Sequence, residues 1–136
     1  MSKLSAFLHP IKADLEKEVI ISDRFVGDDG KPVPFKIRAI TQEENDAIVR
    51  QCTRVEIKNG QRVEYLDSTE LSRRMVVAAT VEPNFTSKEM CDTYGVASPY
   101  LVPGKMLLWG EYARLSSAIT ELSGLNAADM DSDVKN

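Results

Sequence analysis

Side chains that could carry catalysis are few in this chain of 136 residues. His9 is the only histidine, and the proline that follows it disfavours a helical conformation at that position. Cys52 and Cys91 are nucleophiles in principle, but no local signature pairs either of them with a base. A free cysteine more often serves as a small residue of the hydrophobic core. We therefore predict that the protein is not an enzyme.

Two partial ligand-binding motifs are present, and neither is complete. The sequence Val102-Pro103-Gly104-Lys105-Met106 is similar to the end of a phosphate-binding loop, but Pro99 replaces its first glycine and Met106 replaces its magnesium-binding hydroxyl. Alternating aspartates at 129–133 are similar to the start of a calcium loop, but the glycine of its sixth position is Val134. We predict no cofactor and no metal site.

One apolar stripe has the spacing of a binding surface on a helix. Its members are four, three, four and three residues apart, which is the a/d spacing that places side chains on one narrow helix face. Such a face either packs on the protein's own core or binds a helical segment of a partner or of a second copy. The stripe and the tryptophan beside it are our candidates for partner binding: Leu108, Trp109, Tyr112, Leu115, Ile119 and Leu122.

Composition is that of a soluble globular domain and disfavours several other classes of protein. Apolar residues make up 43% and charged residues 28% of the sequence, as in ordinary single domains. The net charge of −4 disfavours nucleic-acid binding, which typically needs a basic patch. No apolar run approaches the ~20 residues of a membrane-spanning helix, and no signal peptide is recognisable. Two distant cysteines without a disulfide framework favour a reducing, cytoplasmic location.

The elements that must position these residues begin with a β-hairpin. Residues with β-branched or aromatic side chains recur over 18–26 and over 33–40, and Asp28-Asp29-Gly30 between them has the residue types of a turn. Pro32 and Pro34 lack an N–H donor, so we expect the returning strand to start at a sheet edge. Residues 1–17 precede the hairpin as an arm, with a short helix over its residues 2–9.

A capped helix follows this hairpin directly. Thr41 and Glu44 have the spacing of a capping box, in which the hydroxyl accepts from one helical N–H and the carboxylate accepts from another. We predict that a helix begins there. Ile48, Cys52 and Val55 are spaced to line one face of it.

A second hairpin is predicted from the alternating polar and apolar residues of 54–57 and 62–65. Asn59-Gly60 between them is the strongest short-range signal for a tight hairpin turn. Asp67 is a suitable N-cap for the helix that comes next, and we expect that helix to continue until Pro83 ends it.

Capping signals predict two more helical regions. Thr86 with Glu89 predicts a short helix that ends at Gly95. The last helical region is predicted over 104–123, with a break at Gly110, because glycine costs about 1 kcal/mol relative to alanine inside a helix.

These elements together define an α+β protein. We predict a helix-rich single domain over residues 18–125, with an N-terminal β-hairpin and a second short hairpin packed on four or so helices. Residues 126–136 are polar and acidic, and we predict that they form a disordered tail.

Short sequence pieces in a fixed order give the chain a family resemblance. They are spread over residues 18–125, and none of them is a catalytic signature. The pieces are Ser22-Asp23-Arg24-Phe25, Gly30-Lys31, Phe35-Lys36-Ile37-Arg38-Ala39-Ile40-Thr41, Glu82-Pro83-Asn84-Phe85, Tyr94-Gly95, Gly110-Glu111-Tyr112, Leu115 and Leu122-Ser123-Gly124. In their order and spacing the chain resembles the XkdN-like tail assembly chaperones of tailed phages and PBSX-type defective prophages.

This resemblance implies a function that composition cannot show. Such chaperones are thought to bind the long, largely helical tape measure protein, keep it soluble, and help tail-tube subunits polymerise around it. They act in the cytoplasm of the bacterial host and are left out of the finished virion. The resemblance therefore implies the tape measure protein, and by extension the tail tube protein, as partners.

Two other functions are compatible with the same sequence. The first is a structural tail component, such as a tube or tail-completion subunit, which would stay in the purified particle. A small adaptor unrelated to phage would bind a peptide through the same apolar stripe. A very long coiled-coil reading frame immediately downstream would favour the chaperone.

Overall fold

The computed structural model describes residues 3–11 and 15–125, and it confirms the predicted α+β class. The helices within them are α1 (Lys3–Leu8), α2 (Gln42–Cys52), α3 (Ser68–Ala79), α4 (Lys88–Thr93), α5 (Val102–Met106) and α6 (Trp109–Leu122), with a 3₁₀ turn at Pro99–Leu101. The strands are β1 (Glu16–Val19), β2 (Phe35–Arg38), β3 (Thr53–Lys58), β4 (Gln61–Leu66) and β5 (Thr80–Glu82). The predicted acidic tail, 126–136, lies outside the described residues.

Strands β1, β2 and β5 form an antiparallel sheet with β2 in the middle. The predicted N-terminal hairpin is confirmed as β1 and β2, but its strands are shorter than expected. Pairing begins with Glu16 opposite Arg38 and ends with Val19 opposite Phe35. The expectation that the returning strand starts at a sheet edge is wrong, because β2 lies between β1 and β5 and pairs with both. Pro32 precedes β2 and therefore removes no hydrogen bond from it.

Between β1 and β2 the chain makes an excursion over residues 20–34. Ile21 is fully buried, so the excursion is anchored in the core near its start. The predicted turn around Gly30 is confirmed, because the Gly30 N–H donates to the Gly27 carbonyl at 3.0 Å. Gly30 has a φ of 76°, a conformation that glycine adopts without steric cost.

Helix α3 ends earlier than the sequence predicts. Its N-cap is confirmed, but the helix stops at Ala79 and the chain turns into strand β5. The Thr80 hydroxyl donates to the Val76 carbonyl at 2.7 Å and so satisfies an acceptor at the helix end. Because β-branched Thr80 and Val81 favour a strand, the segment before Pro83 extends the sheet instead of the helix.

The capping box at the start of α2 is confirmed. The Thr41 hydroxyl accepts from the Glu44 N–H at 3.2 Å, and the Glu44 carboxylate accepts from the Thr41 N–H at 3.2 Å. The helix leads straight into the predicted second hairpin, β3–β4. Val55 lies on β3 and not on the helix face where it was predicted, because α2 ends at Cys52.

Two boundaries in the last third differ from prediction. Ser87, not Thr86, caps α4, since the Ser87 hydroxyl accepts from the Met90 N–H at 3.2 Å. The last helical region breaks at Leu107–Leu108, and Gly110 is the second residue of α6 rather than the break.

The core lies where the three-stranded sheet meets α3, α5 and α6. Each of these elements places apolar side chains on one face, as the alternation of β2 and the helical spacing of α6 require. The buried members are Ile21, Phe35, Ile37, Val76, Val77, Ala79, Phe85, Val102, Leu107, Leu115 and Ile119.

Helix α1 contributes no buried side chain to this core. It matches the short helix predicted within the amino-terminal arm, and both Leu4 and Phe7 on it are exposed. None of the helices in residues 3–11 and 15–125 has the length and apolar character that crossing a bilayer requires.

Leu115→Ala tests the position of α6 in the core. Because Leu115 is fully buried, we expect truncation to leave a cavity and to lower the free energy of unfolding by about 2–5 kcal/mol. Urea denaturation followed by circular dichroism measures the change. Leu4→Ala makes the same truncation on exposed α1 and should change stability by less than about 0.5 kcal/mol. Equal losses from both variants would contradict the placement of Leu115.

Candidate functional site at the start of helix α6

The apolar stripe predicted on the last helix is divided between core and surface. Leu115 and Ile119 are buried, so in this fold they pack inside the protein and are not accessible to a partner. Tyr112 and Leu122 are half-buried against the core. For these four residues the a/d spacing therefore belongs to a helix face that packs on its own domain.

Leu108 and Trp109, at the start of α6, are accessible. Leu108 is 61% exposed and Trp109 is 91% exposed. Leu107, immediately before them, is buried in the core. The chain therefore leaves the core at Leu107, exposes two large apolar side chains, and returns to the core with the first turns of α6.

The helix start that carries these two residues is fixed by Glu111. Its Oε1 atom accepts a hydrogen bond from the Leu108 N–H at 2.8 Å, which satisfies one of the free donors at the helix terminus. A carboxylate in the first turn is also favoured by the positive end of the helix dipole. Leu108 is consequently held in an extended conformation next to the first helical residue, Trp109.

Arg24, from the excursion between β1 and β2, holds Glu111 in turn. Arg24 Nε donates to Glu111 Oε2 at 2.9 Å and Arg24 Nη2 donates to Glu111 Oε1 at 2.5 Å, which is a bidentate pair. The same Nη2 also donates at 3.1 Å to the carbonyl of Met106, the last residue of α5. One guanidinium therefore joins the end of α5 and the start of α6 to the excursion.

The excursion supplies a third exposed apolar residue beside Leu108. Ile20 and Leu108 line the same open concavity, of about 520 Å³, and Ile20 is exposed. The Arg114 guanidinium donates to the Ile21 carbonyl and so fixes the backbone next to Ile20. We call Ile20, Leu108 and Trp109 the α6-start surface.

The Arg24–Glu111 pair also sets the charge state of the site. The hydrogen bond from Arg24 lowers the pKa of Glu111 from its ordinary 4.5 to about 2, assisted by the Ser22 hydroxyl and the Leu108 N–H. The same hydrogen bond raises the pKa of Arg24. Both groups therefore stay ionised near neutral pH, and the pair persists there.

Sequence reasoning did not find Ile20, Arg24 or Glu111 as parts of one site. The sequence predicts Ile20 as a residue of the first strand, and it places Arg24 and Glu111 in separate pieces of the family resemblance. They are 87 residues apart in the chain. The signal in the sequence is that one piece contains Arg24 and another contains Glu111. Opposite charges in two separate pieces do not by themselves indicate that the side chains touch.

Two further contacts involve residues of the family pieces. Arg38 forms a bidentate pair with Glu44, with distances of 3.0 Å and 2.6 Å, and this lowers the pKa of Glu44 to about 2. The Ile40 N–H donates to the Ser123 hydroxyl at 2.9 Å, which joins the end of the sheet to the end of α6. Within residues 3–11 and 15–125 no group of three or more His, Cys, Asp or Glu side chains is placed to hold a metal ion.

Glu111→Gln tests the role of this pair through pH. Because the native pKa of Glu111 lies below its ordinary value, the stabilisation is fully present above about pH 4.5 and is lost as the pH falls toward 2. We expect the free energy of unfolding to fall more steeply over this range in the wild type than in Glu111→Gln, which cannot titrate there. Denaturant titrations at a series of pH values measure both slopes. Glu121→Gln, an exposed carboxylate of the same helix, is the control, and a Glu111→Gln profile parallel to the wild type would refute this role.

Comparison with known proteins agrees with the motif pattern. Residues 4–135 match the family model described as phage XkdN-like tail assembly chaperone protein. The chain is 38% identical to the YqbN protein of Bacillus subtilis (strain 168) over 113 residues, which covers 82% of this chain and 76% of that protein. It is 33% identical over 125 residues to the phage-like element PBSX protein XkdN of the same strain, covering 89% of this chain and 84% of the relative.

The fold agrees as well. The crystal structure of YqbN superposes with a TM-score of 0.75 at 32% sequence identity, covering 93% of this chain and 99% of that chain. A match over nearly the whole length, in sequence and in structure, leaves one assignment: the chain belongs to the XkdN-like family of phage tail assembly chaperones.

Proposed function

We propose that this tail assembly chaperone binds the tape measure protein of its phage or prophage through the α6-start surface. In this proposal it acts in the cytoplasm of the bacterial host, keeps the partner soluble while tail-tube subunits assemble around it, and does not enter the virion. The observation that carries the proposal is the 91% exposure of Trp109 on a helix start that is fixed by hydrogen bonds.

An exposed tryptophan of this kind is suited to binding. Tryptophan is among the residues that most often dominate the energy of protein interfaces. It offers a large apolar area, and its transfer out of water is favourable. Leu108, the residue before it, and Ile20, which lines the same concavity as Leu108, add further exposed apolar area.

Rigidity of the helix start adds to this suitability. Ordering a mobile segment on binding costs free energy, and a segment that is already ordered avoids that cost. The hydrogen bonds of Glu111 and Arg24 order the backbone of residues 106–108 before any partner arrives. The buried Leu115 and Ile119 hold the helix below it.

The partner chemistry follows from the exposed side chains. A long, largely helical tape measure protein has apolar helix faces that lack a partner before the tube forms. An apolar helix face binds to apolar side chains through residues spaced three and four apart. We propose that one such face covers Trp109 and Leu108, with the half-buried Tyr112 and Leu122 serving as supports of α6 and not as contacts.

Co-expression with the candidate tape measure protein tests the proposal directly. We expect the long protein to be insoluble alone and to be soluble and co-purified when this chain is present. Mass spectrometry of purified particles should then lack this chain. Detection of the chain at stoichiometric levels in particles, without any complex in the cytoplasm, would instead support a structural tail component.

Trp109→Ala locates the binding surface. We expect it to weaken tape measure binding by at least about tenfold, because removal of an interface tryptophan typically costs more than 1.4 kcal/mol. Its effect on folding stability should stay within about 0.5 kcal/mol, since the side chain is exposed. Affinity is measured by titrating each variant with the tape measure protein that co-purifies with the wild type. Stability is measured by urea denaturation.

Phe7→Ala is the matched control for this variant. Phe7 is an aromatic side chain on α1 that is 81% exposed, so its truncation removes a similar exposed apolar area elsewhere. We expect Phe7→Ala to bind as the wild type does. If both variants lose binding equally, or if neither does, the α6-start surface is not the specific contact.

A further inference from the structure

The β3–β4 hairpin exposes apolar side chains that the fold does not cover. Its strands pair only with each other among the residues that the structure describes. Ile57 is 71% exposed, and the other apolar residues of the hairpin are exposed or nearly half-exposed: Val55, Val63, Tyr65 and Leu66. An isolated two-stranded hairpin is marginally stable in water, and its free edges are templates for pairing with another strand.

The turn determines which backbone groups point outward from β3. Asn59 and Gly60 have φ values of 52° and 77°, as a two-residue type I′ turn requires. Such a turn is closed by hydrogen bonds between Lys58 and Gln61, which are paired in the register. Inward and outward bonding alternate along an antiparallel strand, so the N–H and C=O groups of Val55 and Ile57 point away from β4.

The charges along this outer edge are complementary to themselves. In the sequence Arg54-Val55-Glu56, the valine separates a positive from a negative side chain. If a second β3 approaches antiparallel with valine opposite valine, each Arg54 stands opposite Glu56 of the second copy. Within one chain Arg54 lies 3.9 Å from Asp67 and Glu56 lies 3.7 Å from Lys58, yet the two side chains remain 40% and 47% exposed and can also reach a second copy.

Neighbouring registers are disfavoured by the same charges. Two neighbouring registers also keep the outward N–H and C=O groups of the two strands facing each other. One of them is centred on Glu56 and the other on Arg54. The first places Glu56 opposite its own copy and Arg54 opposite Lys58, and the second places Arg54 opposite its own copy. Like charges directly opposite one another destabilise a strand pair, so among these three registers only the valine-centred one has favourable charges throughout.

We propose that β3 is a self-association surface, through which a second copy of this chain adds by antiparallel strand pairing about a two-fold axis. The two hairpins then form a four-stranded sheet with two Arg54–Glu56 pairs between copies. Val55 packs against its own copy, and Ile57 packs against Thr53 of the second copy on the same face. This surface consists of other residues than the α6-start surface and does not depend on the tape measure proposal.

The edge of β4 carries a similar sequence, Arg62-Val63-Glu64, but fits the pairing less well. Arg62 and Glu64 would there occupy the hydrogen-bonded pairs, in which side chains lie farther apart. On β3 the Arg–Glu pairs are the non-hydrogen-bonded ones, where side chains approach most closely. A strand edge is small compared with a standard interface of about 1,200–2,000 Å², so the association is weak and dependent on concentration.

Charge reversal on β3 tests the register. In Arg54→Glu two Glu–Glu contacts replace the Arg–Glu pairs, and in Glu56→Arg two Arg–Arg contacts do so. We expect each variant alone to dimerise at least about tenfold more weakly than the wild type in sedimentation velocity over a concentration series. An equimolar mixture of the two variants should recover the dimer, because opposite charges then face each other again. A wild type that stays monomeric throughout, or a mixture that does not recover, overturns the proposal.

Proline substitution tests which edge pairs. Val55→Pro removes an outward N–H of β3, and Glu64→Pro removes an outward N–H of β4, so neither deletes a bond inside the hairpin. We expect Val55→Pro to abolish the dimer and Glu64→Pro to retain it, with circular dichroism spectra that match the wild type in both. Loss of the dimer only in Glu64→Pro would assign the contact to β4 and overturn the proposal for β3.

Discussion

The bidentate pair between Arg24 and Glu111 is the constraint on which the architecture around α6 depends. It joins an excursion of the sheet to the first turn of the helix that fills the core, and it also binds the end of α5 through the Met106 carbonyl. Because Glu111 is almost fully buried, its charge needs this partner. The exposed Leu108 and Trp109 lie next to the pair, so the frame of the fold and the proposed binding surface are held by one interaction.

The residues that carry the family resemblance mostly build this frame. Arg24 pairs with Glu111 and Ile40 binds Ser123, so that pieces distant in sequence meet, and Arg38 pairs with Glu44 six residues further along the chain. Leu115 lies in the core. Family membership in this chain is therefore recorded chiefly in the contacts that hold the sheet against α6, whereas the exposed apolar residues of α6 and of β3–β4 lie outside those pieces.

The two surfaces for which partners are proposed differ in kind. The α6-start surface consists of exposed apolar side chains at a helix start that is fixed by hydrogen bonds, which suits an apolar helix face. The β3 edge instead offers backbone donors and acceptors together with alternating charges, which suit an added strand. In the two proposals the first surface binds a helical partner and the second joins copies of this chain, so the two kinds of binding use separate residues.

Local features of this protein were determined by the sequence alone. The capping box of Thr41 and Glu44, the Asp67 cap and the Asn59-Gly60 turn were all predictable, since each depends on residues within a few positions. Only the tertiary structure decided that Thr80–Glu82 is a strand, because a three-residue segment acquires that conformation by pairing with β2. Tertiary packing likewise divided the apolar stripe, burying Leu115 and exposing Trp109. Helical spacing determines which side chains share a face, but only the neighbouring elements determine how much of that face is covered.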